Sequence, residues 1–344
     1  MGVTVKTFGK TKDKKDIFLY TITNKNGMSA SVTNFGAILV NLFAPDANGA
    51  LADVVLGLEK GTDYYKNGSF FGATVGRNAN RIGGASANID GTIYNFPVND
   101  GPNNLHTDFN CGMHMKLWDA VIKEDSVEFS VFSPDMEAGF PGNLNVKVTY
   151  TLRDDNAIQI AYEAISDKKT IINMTNHSYF NLEGHTAGNI ENTELMLNCS
   201  KYTPVVKGAI PTGELADVEG TVFDFRTPKT IGQDIKAKEK QLKLVKGYDH
   251  NFVVDGYDGT EKLIAVAKAG GRTMEVYSDL PGVQFYAGNC IGKQKGKEGM
   301  KYTKRYGFCL ETQYFPDNAN QDNFKKAVFN ANELYKTTTV YKFV

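Results

Sequence analysis

At 344 residues, with 41% hydrophobic and 22% charged side chains, the chain is long enough to bury a large core without a metal or a disulfide staple. Its 38 Lys and Arg balance 39 Asp and Glu, which leaves no basic field to hold nucleic acid or an anionic membrane. A neutral, well-hydrated partner fits that balance. The four cysteines, Cys111, Cys199, Cys290 and Cys309, show no CxxC spacing and read as free thiols of a reducing compartment.

The chain opens with "MGVTVKTFGKTKDKKDIFLY", whose charges are followed by no apolar h-region, so no signal peptide is expected. Residue 6 is Lys where a myristoylation site wants Ser or Thr. No apolar run approaches the ~20 residues that span a bilayer. A cytoplasmic protein is the expectation.

Period-two alternation then dominates. "MSASVTNFGAILVNLFA" (28–44) reads as strand, and "GRNANRIGG" (76–84) as a loop without the GK[ST] or GxGxxG of a phosphate site. "ANIDGTIYNF" (87–96) carries Asp90-Gly91, a two-residue hairpin signal. "GPNNLHTDF" (101–109) is loop and "DAVIKEDSVEFSVFS" (119–133) is strand. In 143–166, Leu144, Val146, Val148, Tyr150 and Leu152 alternate with polar residues. "RDDN" turns the chain, and Ile158, Ile160, Tyr162 and Ala164 resume the apolar face. "TPKTIGQDI" (227–235) is given a turn or two of helix. Strands follow at "KLIAVAKAGGRTMEVYSD", "VQFYAG", "YGFCLETQYF" and "KTTTVYKFV". With no linker, low-complexity tract or fixed repeat, the reading is one domain over 1–344. Its class is all-β, a large antiparallel β-sandwich with few short helices.

Several strands break the apolar bookkeeping in one way. In "YGFCLETQYF" the polar face carries Cys309, Glu311 and Gln313, and Glu311 rather than the thiol is read as the chemical group. In "IINMTNHSYFNLEG" (171–184) His177 and Tyr179 share a face, and in "LPGVQFYAGN" Gln284 and Tyr286 oppose Val283 and Phe285. Side by side, such strands would line a polar groove suited to a polyhydroxylated ligand, because buried polar groups need partners. Each residue also has a purely structural reading. His177 can be a hydrogen-bonded core histidine, Asp249 an Asx-turn, His106 a surface turn and Arg81 half of a salt bridge. The five histidines include no HxH or HExxH, so no metal is expected, and no GxSxG elbow is present.

"TNHSYFNLEG", "GRNANRIGG", "NNLH", "GFPGN", "IPTGE", "FDFRTP", "GYDHNF", "PGVQFYAGN" and "CLETQYFPDN" stand in the order seen in aldose 1-epimerases, and from about residue 30 onward the chain resembles that family. The resemblance implies a galactose mutarotase-like supersandwich with its sugar site in a groove on one sheet. By motif, it implies Glu311 as catalytic base and His177 as catalytic acid. It implies Asn80, Arg81, His106, Asp249 and Gln284 as sugar-binding residues; Tyr179 is added from its place on the His177 face. Where the family usually has two glycines after the "NNLH" histidine, this chain has Thr107 and Asp108, which leaves the shape of that loop open.

The implied activity is interconversion of the α- and β-anomers of a free hexose such as galactose or glucose, with no cofactor. The implied partner is a monosaccharide, with no nucleic acid or membrane contact, and the assembly a monomer or homodimer. Burial is expected to raise the Glu311 pKa, and nearby negative charge to hold His177 protonated. Rival readings are a glycoside hydrolase using Glu311 and Asp249, a non-catalytic carbohydrate-binding protein, and a sugar-phosphate mutarotase, for which only Arg81 offers a cation among the matched residues.

Overall fold

The computed structural model describes residues 2–344. Strands β1 (Gly2–Lys10), β2 (Asp16–Thr23), β3 (Ser29–Thr33), β4 (Ile38–Pro45) and β5 (Leu51–Asp53) form an antiparallel meander. Short strands β6 (Ala73–Val75), β7 (Arg81–Ile82) and β8 (Asn104–Leu105) follow, with β7 and β8 paired. The longest run is β9 (Asp119–Ile122), β10 (Ser126–Ser133), β11 (Leu144–Leu152) and β12 (Ala157–Ser166). Beyond it lie β13 (Thr175–His177), β14 (Glu194–Leu197), β15 (Lys201–Tyr202), β16 (Ala216–Asp217), β17 (Lys229–Thr230), α1 (Lys240–Val245) and β18 (Asp249–Val253). The chain ends with β19 (Lys262–Ala269), β20 (Arg272–Ser278), β21 (Gly282–Tyr286), β22 (Cys309–Gln313) and β23 (Leu334–Phe343).

A nine-stranded antiparallel sheet runs β9-β10-β11-β12-β23-β20-β19-β14-β17. Its C-terminal strand β23 is inserted between β12 and β20, so the last residues of the chain close the middle of the sheet. A second sheet runs β16-β15-β18-β21-β22. Together with the N-terminal meander these surround one apolar cluster. Tyr20, Ile22 and Val32 come from the meander, Phe129, Val148, Tyr150 and Ile160 from the nine-stranded sheet, and Phe252, Val283, Phe285 and Leu310 from the second sheet. Each large apolar side chain buried there contributes about 1.5–3 kcal/mol.

The alternation read in β11 and β12 holds residue by residue: Leu144, Val146, Val148, Tyr150 and Leu152 are buried, while Asn145 and Lys147 are exposed. Asp90 and Gly91 both take positive φ between Ser86–Ile89 and Thr92–Asn95, as a two-residue hairpin requires. One element was misplaced. Residues 227–235 are β17 and a series of turns, where Pro228 and Gly232 break the pattern. The α-helix begins at Lys240, capped by Glu239, whose Oε2 accepts the Leu242 N–H at 2.9 Å. All four cysteines are free, and no helix of the described residues is long and apolar enough to cross a membrane.

Candidate active site

The second sheet buries one face against the core and turns the other toward a cavity. Register explains which side chains go where. Asp249, Tyr286 and Cys309 are cross-strand partners in one row, and Asn251, Gln284 and Glu311 form the next. Because side chains alternate along a strand, His250, Phe252, Val283, Phe285 and Leu310 point into the core while these two rows face outward. His177 arrives from β13, which pairs with β6 through His177 and Ala73. Just after it, Phe180 and Phe308 exchange backbone hydrogen bonds of 2.7 and 3.0 Å, which sets His177 beside Cys309 and Glu311.

The cavity encloses about 270 Å³. Asn80, Arg81, His106, His177, Tyr179, Asp249 and Glu311 line it, together with Phe70, Asp100, Phe109, Tyr286 and Cys290. Gln284 does not; it stands behind, its Nε2 donating to Asp249 Oδ1 at 2.7 Å. His177 Nε2 lies 3.6 Å from Glu311 Oε1, and Glu311 Oε2 is buried without a partner. The His177 ring stacks on Tyr179, centroids 5.0 Å apart, and on Phe70 at 6.0 Å. Arg81 Nε donates to Asp100 Oδ2 at 2.7 Å; the structural salt bridge weighed for Arg81 therefore exists, at the cavity wall.

His106 is fixed by Asn80. The Asn80 N–H donates to His106 Nδ1 at 3.1 Å, and the His106 N–H to the Asn80 carbonyl at 3.0 Å. Nδ1 is thus an acceptor, and in the neutral ring the proton sits on Nε2. One donor atom each from His106, His177 and Glu311 lies within 4.8 Å of the others. Ligating a cation through His106 Nε2 would move the proton to Nδ1, against the Asn80 N–H, so His106 is arranged to donate to a ligand oxygen rather than to grip a metal.

Burial governs the charges. It pushes the Glu311 carboxyl well up, reinforced by Asp249 and opposed by Arg81. Asp249 is raised by burial too, with Arg81 pulling it back. Burial lowers His106 well below its usual value and His177 to about 4. The expectation that negative charge holds His177 protonated is therefore reversed: with Glu311 itself driven toward its neutral form, desolvation of the imidazole wins. Burial thus favours the neutral form of both groups.

Thr107 and Asp108 shape the adjoining loop. His106 and Thr107 both take positive φ, +52° and +69°. Thr107 Oγ1 accepts the Asn78 N–H at 2.8 Å and donates to the Asn78 carbonyl at 3.2 Å. Asp108 Oδ1 accepts from the N–H groups of Asn110 and Cys111. Asp100, Cys290 and Phe109 were missed in the sequence, being loop residues without a pattern. Tyr286 could have been found, since it shares the Gln284 face.

An antiparallel β-scaffold whose cavity sets a buried carboxyl beside an imidazole suits an enzyme of the isomerase class, and the comparisons agree. The family model for aldose 1-epimerase matches residues 19–342, so the chain belongs to the aldose 1-epimerase family. It is 42% identical over 318 residues to a galactose mutarotase of Bos taurus, covering 92% of this chain and 91% of that protein. It is 35% identical over 331 residues to an aldose 1-epimerase of Escherichia coli K12, covering 95% of both. Among solved structures, a galactose 1-epimerase from Lactobacillus acidophilus superposes with a TM-score of 0.87 at 30% identity, covering 100% of this chain and 99% of that one.

Proposed function

We propose that this chain is a mutarotase for free hexoses, with galactose and glucose as the leading candidates, and that Glu311 and His177 carry the proton transfers. The observation that carries this reading is the pair itself: a carboxylate oxygen without a partner and an imidazole nitrogen 3.6 Å from its twin oxygen, on the floor of one cavity. At about 270 Å³ that cavity lies just below the usual range of ligand sites, roughly 300–1,000 Å³, which suits one sugar ring better than a chain of them.

In the reaction, Glu311 takes the proton of the C1 hydroxyl while His177 Nε2–H gives one to the ring oxygen. The C1–O5 bond breaks with its electrons going to O5, and C1=O1 forms. After rotation about C1–C2 the transfers run backwards and the ring closes as the other anomer. The pair holds one proton before and after, so nothing is consumed. The empty site keeps that proton on Glu311. A bound sugar favours the charged form, because the C1 hydroxyl donates to the carboxylate and O5 accepts from the imidazolium. Positioned acid–base groups of this kind contribute about 10²–10⁴-fold. Arg81, Asp249 and the His106 Nε2–H would hold the other ring hydroxyls, with Asn80 orienting His106, Gln284 orienting Asp249 and Tyr179 stacked on the acid.

Polarimetry on freshly dissolved α-D-galactose and α-D-glucose tests this, with native protein beside Glu311→Gln and His177→Asn. Faster relaxation to the same final rotation, lost by about 10²-fold or more in both variants, is the expected result. A native protein no faster than buffer would sink the assignment. Release of sugar from an aryl glycoside would replace it with a hydrolase.

A further inference from the structure

Cys309 has no step in the chemistry above, yet its Sγ lies 3.4 Å from Nδ1 of His177. It is fully buried. Nε2 is the nitrogen turned to Glu311, so the thiol occupies the opposite side of the ring. Everything else around that ring is accounted for. Phe70 and Tyr179 stack on its faces, and His106 and Tyr286 meet it edge to face. Its own carbonyl is close but already accepts the Gly72 N–H at 3.0 Å. Among the described residues, Cys309 is the one side chain hydrogen-bonded to the imidazole.

Reversible proton transfer makes an unusual demand on such a neighbour. When His177 is about to protonate the ring oxygen it is a cation, with an N–H on both nitrogens. Once the proton has left Nε2, the neutral ring must take it back through Nε2 as the ring recloses. A carboxylate beside Nδ1 would hold the cation and resist the transfer, and a fixed donor there would repel the cation. Because the proton leaves and returns through Nε2, Nδ1–H is present in both states, and the thiol sulfur accepts from it in each as an uncharged acceptor. That bond is weak, so neither charge state is trapped.

We propose that Cys309 is a positioning residue whose sulfur accepts from Nδ1–H and so keeps His177 Nε2 aimed at the sugar's ring oxygen in both protonation states. The proposal rests on the mutarotase reading for its role in turnover, but not for the hydrogen bond itself. Burial keeps the group as S–H, since it raises the thiol well above its ordinary value.

Two measurements test it. In the native protein, ¹⁵N NMR of labelled histidine at pH 7 is expected to show neutral His177 with a protonated, hydrogen-bonded Nδ1 and an unprotonated Nε2. In Cys309→Val, similar in size but unable to bond, that signature is expected to be lost, and kcat to fall by about 10- to 100-fold with KM unchanged. Cys309→Ser, which keeps an uncharged acceptor for Nδ1–H, is expected to restore kcat to within about threefold, a difference of about 0.6 kcal/mol. Should the valine variant not fold, Cys309→Ala takes its place. An Nε2–H tautomer with a bare Nδ1 in the native protein, a valine variant with native kcat, or a serine variant no better than valine would each overturn the proposal. A native protein without mutarotase activity would instead overturn the function, and the NMR result would stand separately.

Discussion

At Thr107 a β-branched side chain sits at φ +69°, a conformation open to glycine and costly by about 1–3 kcal/mol to other residues. What holds it there is its own hydroxyl, bonded both ways to the Asn78 backbone. Removing that hydroxyl leaves two buried backbone groups short of a partner, at about 1–3 kcal/mol. Thr107→Ala keeps the strained φ and loses the bonds, whereas Thr107→Gly loses the bonds and relieves the strain. Glycine is therefore expected to be the milder change here, the reverse of the usual order, and urea midpoints of the two variants check it. Asp249 acts on its neighbour through charge. It is the second cause, after burial, of the raised Glu311 carboxyl. In Asp249→Asn the Glu311 proton should leave more easily, so the alkaline limb of kcat/KM is expected to move to lower pH while KM rises. The acid limb, set by His177 at about 4, should stay in place. A pH–rate profile with an unmoved alkaline limb would rule out the charge coupling.

At the scale of elements, the site was legible wherever it lies on regular strands. Alternation separated Glu311 from Leu310 and Gln284 from Phe285, and the register β18-β21-β22 turns those faces into adjoining rows. Where the backbone leaves the strand pattern, local periodicity has nothing to say: Asp100 and Cys290 reach the cavity from loops. Nor could it show that β23 pairs with β12 and β20, because strands so far apart in the chain leave no mark on each other's local sequence. One loop is anchored by a charge that composition alone hides. Lys297 Nζ donates to Asp53 Oδ2 at 2.5 Å and to the carbonyls of Val40 and Val55 at 2.7 and 2.8 Å. Asp53 in turn accepts from Asn41 and from the Leu42 N–H. This pins the segment that follows the cavity residue Cys290 to the N-terminal meander. Lys297→Met leaves a buried carboxylate uncompensated, and a loss of about 3–5 kcal/mol is expected. Chemical denaturation reads it, and a loss under 1 kcal/mol would mean that Asp53 is rehydrated.

Across the whole molecule, the same burial that tunes the site makes stability depend on pH. His114, His177 and His250 are held neutral, with pKa values pushed down to about 4, about 4 and about 3 by desolvation. In the unfolded chain each returns to ~6.5. Between those values the unfolded state binds more protons than the folded one, so stability falls as the pH drops through ~6.5 and keeps falling toward the folded pKa. Buried carboxyls work against this. Glu311, Asp249 and Asp279 are raised on folding, so the folded state holds their protons where the unfolded state has lost them, and acid favours them. Global titration mixes the two signs; a single histidine that faces the core rather than the cavity separates them. His250 faces the core beside Phe223 and Tyr202, and its Nε2 has no partner. His250→Gln removes one proton-binding group from the unfolded state and none from the folded state. Its stability difference between pH 7 and pH 5 is expected to be smaller than the native protein's by on the order of 1–2 kcal/mol. Urea unfolding at the two pH values measures it. Equal differences in the two proteins would mean that His250 is protonated within the core, which would require a partner for Nε2 that the aromatic rings around it do not supply.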